Sequence, residues 1–154
     1  MPKSIVRIFI TLLIVCVMNI HGAQAAVLVL QELNFGEWLI KTNVGVQSVT
    51  VQTDGSYSNT PDMIMLLPPT EGIYVIDGLN PSSVITSVNV TMLTPLTNGS
   101  GEDFTVDTFT TISPDTDAGG QTTITLGARA RSSANGLPYT DGVHTGTVQI
   151  VINF

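Results

Sequence analysis

Apolar and polar residues alternate along several short stretches of this chain, and the last stretch shows the pattern most clearly. Between positions 145 and 154, Val148, Ile150 and Ile152 stand at every second place, followed by Phe154. A repeat of two places one set of side chains on one face of a β-strand. The pattern therefore predicts a strand with one buried face in this region.

Further stretches predict strands by alternation or by short solid apolar runs. They lie at 27–35, 44–53, 63–67, 73–76, 84–92, 104–112 and 122–130. Asn-Gly and Asp-Gly pairs, which adopt the positive φ of tight turns, recur between them. Threonine accounts for 20 of the 129 residues after Ala25, and its branched side chain suits a strand better than a helix. Strands divided by turns predict an all-β, antiparallel, immunoglobulin-like sandwich of about 7–9 strands.

The first 25 residues have the three parts of a secretory signal peptide. Lys3 and Arg7 form a short basic start, an apolar run covers positions 8–20, and Ala23-Gln24-Ala25 offers a cleavage site. The sequence predicts cleavage before Ala26 and a single β-sandwich domain at 26–154. We expect export to the periplasm, the cell surface or the medium, with no membrane span in the mature chain.

The charge and the cysteine content of the predicted mature chain exclude several classes of function. Removal of Lys3 and Arg7 leaves three basic residues against twelve acidic ones, a formal net charge of −9. Such a chain has no basic patch for phosphates, so we expect no nucleic-acid partner. Cys16 lies in the predicted leader, so the mature chain has no disulfide and no thiolate.

Catalytic and metal-binding patterns are weak. His144 is the only histidine after residue 25, and no Gly-x-Ser-x-Gly elbow is present. A calcium loop starting at Asp115 fails because its twelfth position is Leu126 rather than Glu. The sequence therefore predicts no enzyme, no catalytic residue, no metal site and no cofactor. Trp38 is the candidate ligand residue for a different function, a carbohydrate-binding site.

Four short motifs in a fixed order are similar to those of a bacterial family of exported proteins. They are Leu33-Asn34-Phe35-Gly36, the run from Ile73 to Gly78, the run from Ile124 to Ala128, and the run from Gly142 to Val148. Together they resemble the domain-of-unknown-function family 4402. The two ends of the chain resemble, more remotely, spore-coat-U-like and archaic chaperone–usher pilin subunits.

The resemblance implies a pilin-like sandwich completed by a strand from another chain. Candidate donor residues are Val27, Leu28, Val29, Leu30, Leu33 and Phe35. A candidate recognition or edge strand contains Val148, Ile150, Ile152 and Phe154. The implied partners are further copies, other pilin-like subunits and a periplasmic chaperone.

Three alternatives stay open from the residues alone. Both terminal strands also fit an ordinary closed domain, because ordinary strands outnumber exchanged ones. A monomeric adhesin or carbohydrate-binding module is the second alternative. A small outer-membrane β-barrel is the third, although eight scattered aromatic residues do not form two girdles.

Overall fold

The computed structural model describes residues 4–9 and 25–154 and shows an all-β sandwich, as the sequence predicts. These residues form eleven strands and no helix. The strands are β1 Ser4–Phe9, β2 Ala26–Gln31, β3 Asn34–Ile40, β4 Ser48–Val51, β5 Tyr57–Asn59, β6 Met63–Leu67, β7 Gly72–Asp77, β8 Ser87–Thr97, β9 Thr105–Ile112, β10 Thr122–Arg131 and β11 Gly142–Asn153.

The strands form two sheets. Sheet I has the order β6-β3-β1-β11-β8, and sheet II has the order β2-β7-β10-β4-β5 with β9 also paired to β10. Thr125 and Leu126 pair with β7 and with β9 at once, so these two strands flank β10 on opposite sides. Within the described residues every pairing is antiparallel except that of β1 with β11.

A long two-stranded ribbon runs through both sheets on one side of the molecule. Residues 26–40 pair with residues 63–77, as β3 with β6 in sheet I and as β2 with β7 in sheet II. At the crossing, Asn34 and Thr70 exchange backbone hydrogen bonds of 2.9 and 2.8 Å. Gly36, two residues after Asn34, has a φ of +83°, and a Cβ there would clash with the Leu67 carbonyl. The backbone bend explains why the predicted strand at 27–35 is two strands in the structure.

The other side of the sandwich is closed by a corner between β8 and β9. Leu96 and Phe104 exchange two backbone hydrogen bonds of 2.9 Å and thereby join sheet I to sheet II. Both side chains are buried. The strand edges of β2, β5 and β6 therefore lie along the side of the ribbon, away from this corner.

The core lies between the inner faces of the two sheets. Along β10, Ile124, Leu126, Ala128 and Ala130 are buried, which confirms the alternation predicted from the sequence. A fully buried aliphatic side chain contributes about 1.5–3 kcal/mol. The other large buried side chains come from both sheets and include Leu33, Phe35, Trp38, Tyr74, Ile76, Phe104 and Ile150.

The strand count exceeds the predicted range for two reasons beyond the division of 27–35. The short strand β5 carries no alternating apolar pattern, since all three of its residues are exposed. Strand β1 belongs to the segment that the sequence assigns to a leader. Both segments are strands because they pair with neighbouring strands.

Gly127 occupies the point on β10 where pairing passes from β7 to β4. A Cβ at this position would lie 2.5 Å from the Val51 carbonyl oxygen and 2.7 Å from Thr110 Oγ1.

We expect Gly127→Ala to lower the free energy of unfolding by about 1–3 kcal/mol, because the strands cannot separate without losing core contacts. Urea unfolding measures this change. Gly45→Ala is the control, since its methyl group would meet nothing closer than Gln47 Nε2 at 4.0 Å. Equal stability of the two variants would contradict the prediction.

Candidate strand-pairing site

The unusual feature of sheet I is the strand at its centre. β1 pairs antiparallel with the whole of β3, from Ser4 opposite Ile40 to Phe9 opposite Asn34. On its other side it pairs parallel with the start of β11, where Ile8 lies opposite His144. A strand with two neighbours satisfies the backbone groups of both.

This central strand comes from the predicted leader, while both of its neighbours come from the predicted mature chain. The signal-peptide prediction covers positions 1–25, of which 1–3 and 10–24 lie outside the described residues. The sequence prediction assigned Ser4–Phe9 to the start of a leader and did not identify it as a strand. Its four β-branched or aromatic residues (two isoleucines, a valine and a phenylalanine) were the available signal.

Without β1, sheet I separates into the pairs β6–β3 and β11–β8. The sheet order places no other described strand between β3 and β11. Neighbouring strands are about 4.8 Å apart, so the gap would be roughly twice that width. Its walls would present unpaired N–H and C=O groups, and each such group costs about 1–3 kcal/mol if it stays buried. We call this region between β3 and β11 the acceptor gap.

The walls of the acceptor gap are anchored by large core side chains. Phe35 and Trp38 project from β3 into the core and are fully buried. The Trp38 indole N–H donates to the Phe35 carbonyl, and Tyr57 packs edge-on against the indole with 6.4 Å between ring centroids. Trp38 therefore has no exposed surface on which a soluble glycan could stack, and the structure gives the carbohydrate-site hypothesis no support at this residue.

The candidate donor segment has two parts with different environments. β2 pairs with β7 inside its own domain, and among the described residues nothing pairs with its outer edge. Leu28 and Leu30 on β2 are 59% and 61% exposed. Leu33 and Phe35 are fully buried instead, and the Leu33 backbone N–H donates to the Tyr74 hydroxyl at 3.1 Å. The segment is thus an exposed edge strand followed by a core anchor.

Burial of the Tyr74 ring reinforces this anchor. Removal of the ring from water raises the pKa of Tyr74 to about 12, so the hydroxyl is neutral and accepts the hydrogen bond from Leu33. Two residues before Leu33, Gln31 holds β2 in place through a 2.7 Å bond from its Nε2 to the Glu71 carbonyl. Glu32 lies between these two fixed points.

The predicted recognition or edge strand at the end of the chain lies beside β8, and most of its other edge is unpaired among the described residues. Val148, Ile150 and Ile152 are buried, and their strand pairs with β8 from Thr145 to Asn153. On the β1 side, described residues pair with β11 only over Gly142–His144. The rest of that edge has no partner among the described residues. Phe154 follows the strand and is 42% exposed.

His144 lies at the point where β11 meets β1, and its imidazole is buried. Its ring packs edge-on against Phe104, which stacks on Tyr139 with 4.1 Å between centroids. Nδ1 lies 3.3 Å from the Gly142 carbonyl oxygen, and Nε2 has no hydrogen-bond partner among the described residues. Burial lowers the pKa of His144, while the Gly142 carbonyl first, and then the Glu102 backbone and the Asp103 carboxylate, partly oppose this shift.

Charged groups elsewhere are paired on the outer face of sheet II. Asp107 accepts two hydrogen bonds from Arg129, at 2.7 and 3.1 Å, and one from Arg131 at 2.9 Å. The hydrogen bonds from Arg129 have the largest effect, and together with the one from Arg131 they lower the pKa of Asp107 to about 2. Two of the three cations of the predicted mature chain are therefore engaged by one carboxylate.

The described residues contain no close group of three His, Cys, Asp or Glu side chains that could hold a metal ion. Within residues 4–9 and 25–154, no helix is long and apolar enough to cross a membrane.

One comparison with known proteins gave a match. The family model described as Domain of unknown function (DUF4402) matches residues 26–154. No curated protein and no solved structure matches the chain.

Stability should depend on pH through His144. The unfolded chain takes up a proton near the ordinary histidine pKa of about 6.5, whereas the folded chain resists protonation because the ring is buried. The free energy of unfolding should therefore fall as pH decreases through 6.5, by at most about 1.4 kcal/mol per pH unit, and level off below the folded pKa.

Denaturant unfolding between pH 7.5 and 5.5 measures this dependence. His144→Leu is the control, because it keeps an apolar side chain in the same space and removes the titrating group. Its stability should be flat over this range. An equal slope in the variant would show that another group is responsible.

Proposed function

The chain belongs to the family described as Domain of unknown function (DUF4402), and from that premise we propose an exported, non-enzymatic surface or structural protein. The proposed role is that of a pilin-like subunit, which assembles when the acceptor gap receives a strand from another chain. A periplasmic chaperone is the proposed partner that protects the gap before assembly.

The observation that carries this proposal is the position of β1. The segment Ser4–Phe9 joins the two halves of sheet I through backbone pairing of six residues with β3 and of three residues with the start of β11. The same segment has the sequence features of a leader that is removed on export. A mature chain would then keep its core residues but lack the central strand of one sheet.

The family match supports the proposed boundary. It begins at Ala26, the first residue after the predicted cleavage site, and runs to Phe154. The segment that fills the acceptor gap thus lies outside the matched domain. Such a domain needs a strand from elsewhere to satisfy β3 and β11.

The burial of His144 supports a structural rather than a catalytic role. It is the only histidine after residue 25, and Phe104 and Tyr139 enclose it. An imidazole that acts as a general base must reach the substrate. The acidic surface fits an extracellular protein that has to stay soluble before assembly.

The first test establishes which residues the exported protein keeps. The full chain is expressed with export, and the product is examined by N-terminal sequencing and by light scattering after size-exclusion chromatography. We expect a first residue of Ala26 and species larger than one chain. A product that retains Ser4–Phe9 would contradict the proposal.

A peptide with the sequence of residues 4–9 extends this test. In excess, it should occupy the acceptor gap, raise the thermal midpoint and shift the larger species toward single chains. The control peptide carries Val6→Pro, which removes one backbone N–H from the ladder and should have a much smaller effect. A single chain whose stability neither peptide changes would count against strand complementation.

A further inference from the structure

We infer that Arg129, Arg131 and the hydroxyl groups beside them form a binding site for a glycan that carries a sugar carboxylate. This site lies on the outer face of sheet II, whereas the acceptor gap lies in sheet I. The inference therefore goes beyond the proposed function and does not depend on whether copies of the chain assemble.

A β-bulge between β9 and β10 places a carboxylate beside the two arginines. Thr108 and the residue after it on β9 lie opposite the single residue Ala128 of β10. Because side chains alternate between the two faces of a strand, the extra residue turns Asp107 to the outer face, where it pairs with Arg129. Without the bulge, the Asp107 side chain would point into the sandwich.

The backbone of this bulge is strained. Thr108 has a φ of +52°, and a positive φ is rare for a residue with a branched Cβ. Such strain is concentrated at functional sites. An ion pair on a protein surface contributes little to stability, so the strained bulge points to a role for these side chains beyond the ion pair.

Asp107 holds the two guanidinium groups in place and leaves most of their donors available. Each guanidinium carries five N–H donors. Asp107 accepts from Nε and Nη2 of Arg129 and from Nη1 of Arg131, and within residues 4–9 and 25–154 the other N–H groups have no acceptor. The two arginine side chains are 36% and 40% exposed. Each can therefore present two N–H groups to both oxygens of a further carboxylate.

Hydroxyl groups flank the arginines on the same face. On β4, Ser48 and Thr50 pair with the two arginines, Ser58 of β5 continues the row, and Thr105 of β9 lies on the other side. Directly paired residues point to the same face of a sheet. Within the described part of the chain, none of these four hydroxyl groups makes a hydrogen bond. They can donate to and accept from the hydroxyl groups of a sugar.

The residues of this face favour a glycan over other anions. A protein interface is typically centred on apolar anchors, but all residues paired with the two arginines on β4 and β9 are polar. A nucleic acid requires many cations, and the chain after residue 25 has only three. Because Asp107 balances one of the two arginine charges, the site matches a single carboxylate on an otherwise neutral sugar chain.

A glycan array probed with the exported full chain at low salt tests the ligand class. The array carries oligogalacturonate and sialyllactose, their methyl esters, and sulfated sugars. We expect binding to the two carboxylated sugars and about tenfold weaker binding to the esters, which cannot accept a charge-assisted bidentate pair. Equal binding to the esters, binding to sulfated sugars alone, or no binding would overturn the inference.

Two substitutions with the same change in charge locate the site. Arg131→Gln removes one guanidinium and leaves the bidentate pair of Asp107 with Arg129, so we expect a folded protein whose affinity for the bound sugar falls about tenfold. Lys41→Gln removes the third cation, which follows β3 in sheet I, and should change the affinity by less than about twofold. Equal losses in the two variants would indicate a general charge effect and overturn the inference.

Two further measurements cover the remaining outcomes. Circular dichroism checks the fold, and if Arg131→Gln does not fold, Arg131→Lys replaces it, because this variant keeps the charge and loses the planar fork. Affinity equal to that of the parent in Arg131→Lys would overturn the bidentate site. A pentaglutamate peptide competes for the same arginines without sugar hydroxyl groups. Competition as strong as that of the free sugar would assign the site to acidic protein segments and overturn the glycan.

Discussion

The architecture depends on one constraint, which is that a backbone inside a β-sheet needs partners on both edges. In sheet I the partners of β3 and β11 come from a six-residue segment near the start of the chain. The buried side chains of these two strands belong to the core between the two sheets. Under the proposed function, a domain without this segment would keep its core and require one more strand, a combination typical of proteins that assemble by strand addition.

The ribbon of residues 26–40 and 63–77 has a buried part and an exposed part. Beyond the crossing at Asn34 and Thr70, β3 and β6 carry buried residues into sheet I. Before the crossing, β2 lies on the edge of sheet II with most of its apolar surface in water. At the boundary between these two regions, the Leu33 backbone N–H donates a hydrogen bond to the Tyr74 hydroxyl. The same backbone thus anchors the domain at one end and forms an exposed edge strand at the other.

The chemistry of the surface is consistent with a structural protein. The two arginines of β10 are engaged by Asp107, and the only histidine after residue 25 lies under Phe104. A net negative charge disfavours nonspecific contacts between copies. Association then requires a local interaction strong enough to overcome this repulsion, and backbone pairing along a full strand together with apolar burial is such an interaction.

The sequence by itself determined the all-β class, the positions of most strands and the family, because alternation, turn residues and short motifs are local properties. It also identified 27–35 and 148–154 as the apolar terminal segments. It did not reveal that Leu28 is exposed while Leu33 and Phe35 are buried. Alternation states that one face is buried but not which neighbours cover it.

Only the tertiary structure decided which strands are neighbours. β1 and β11 are separated by more than a hundred residues, and the hydrogen bonds between them join backbone groups that every residue type carries. No local pattern encodes such a pairing, so the acceptor gap could not be predicted from residues 4–9 or from 142–153. Its position follows from the packing of the two sheets, which brings β3 and β11 to either side of a single strand.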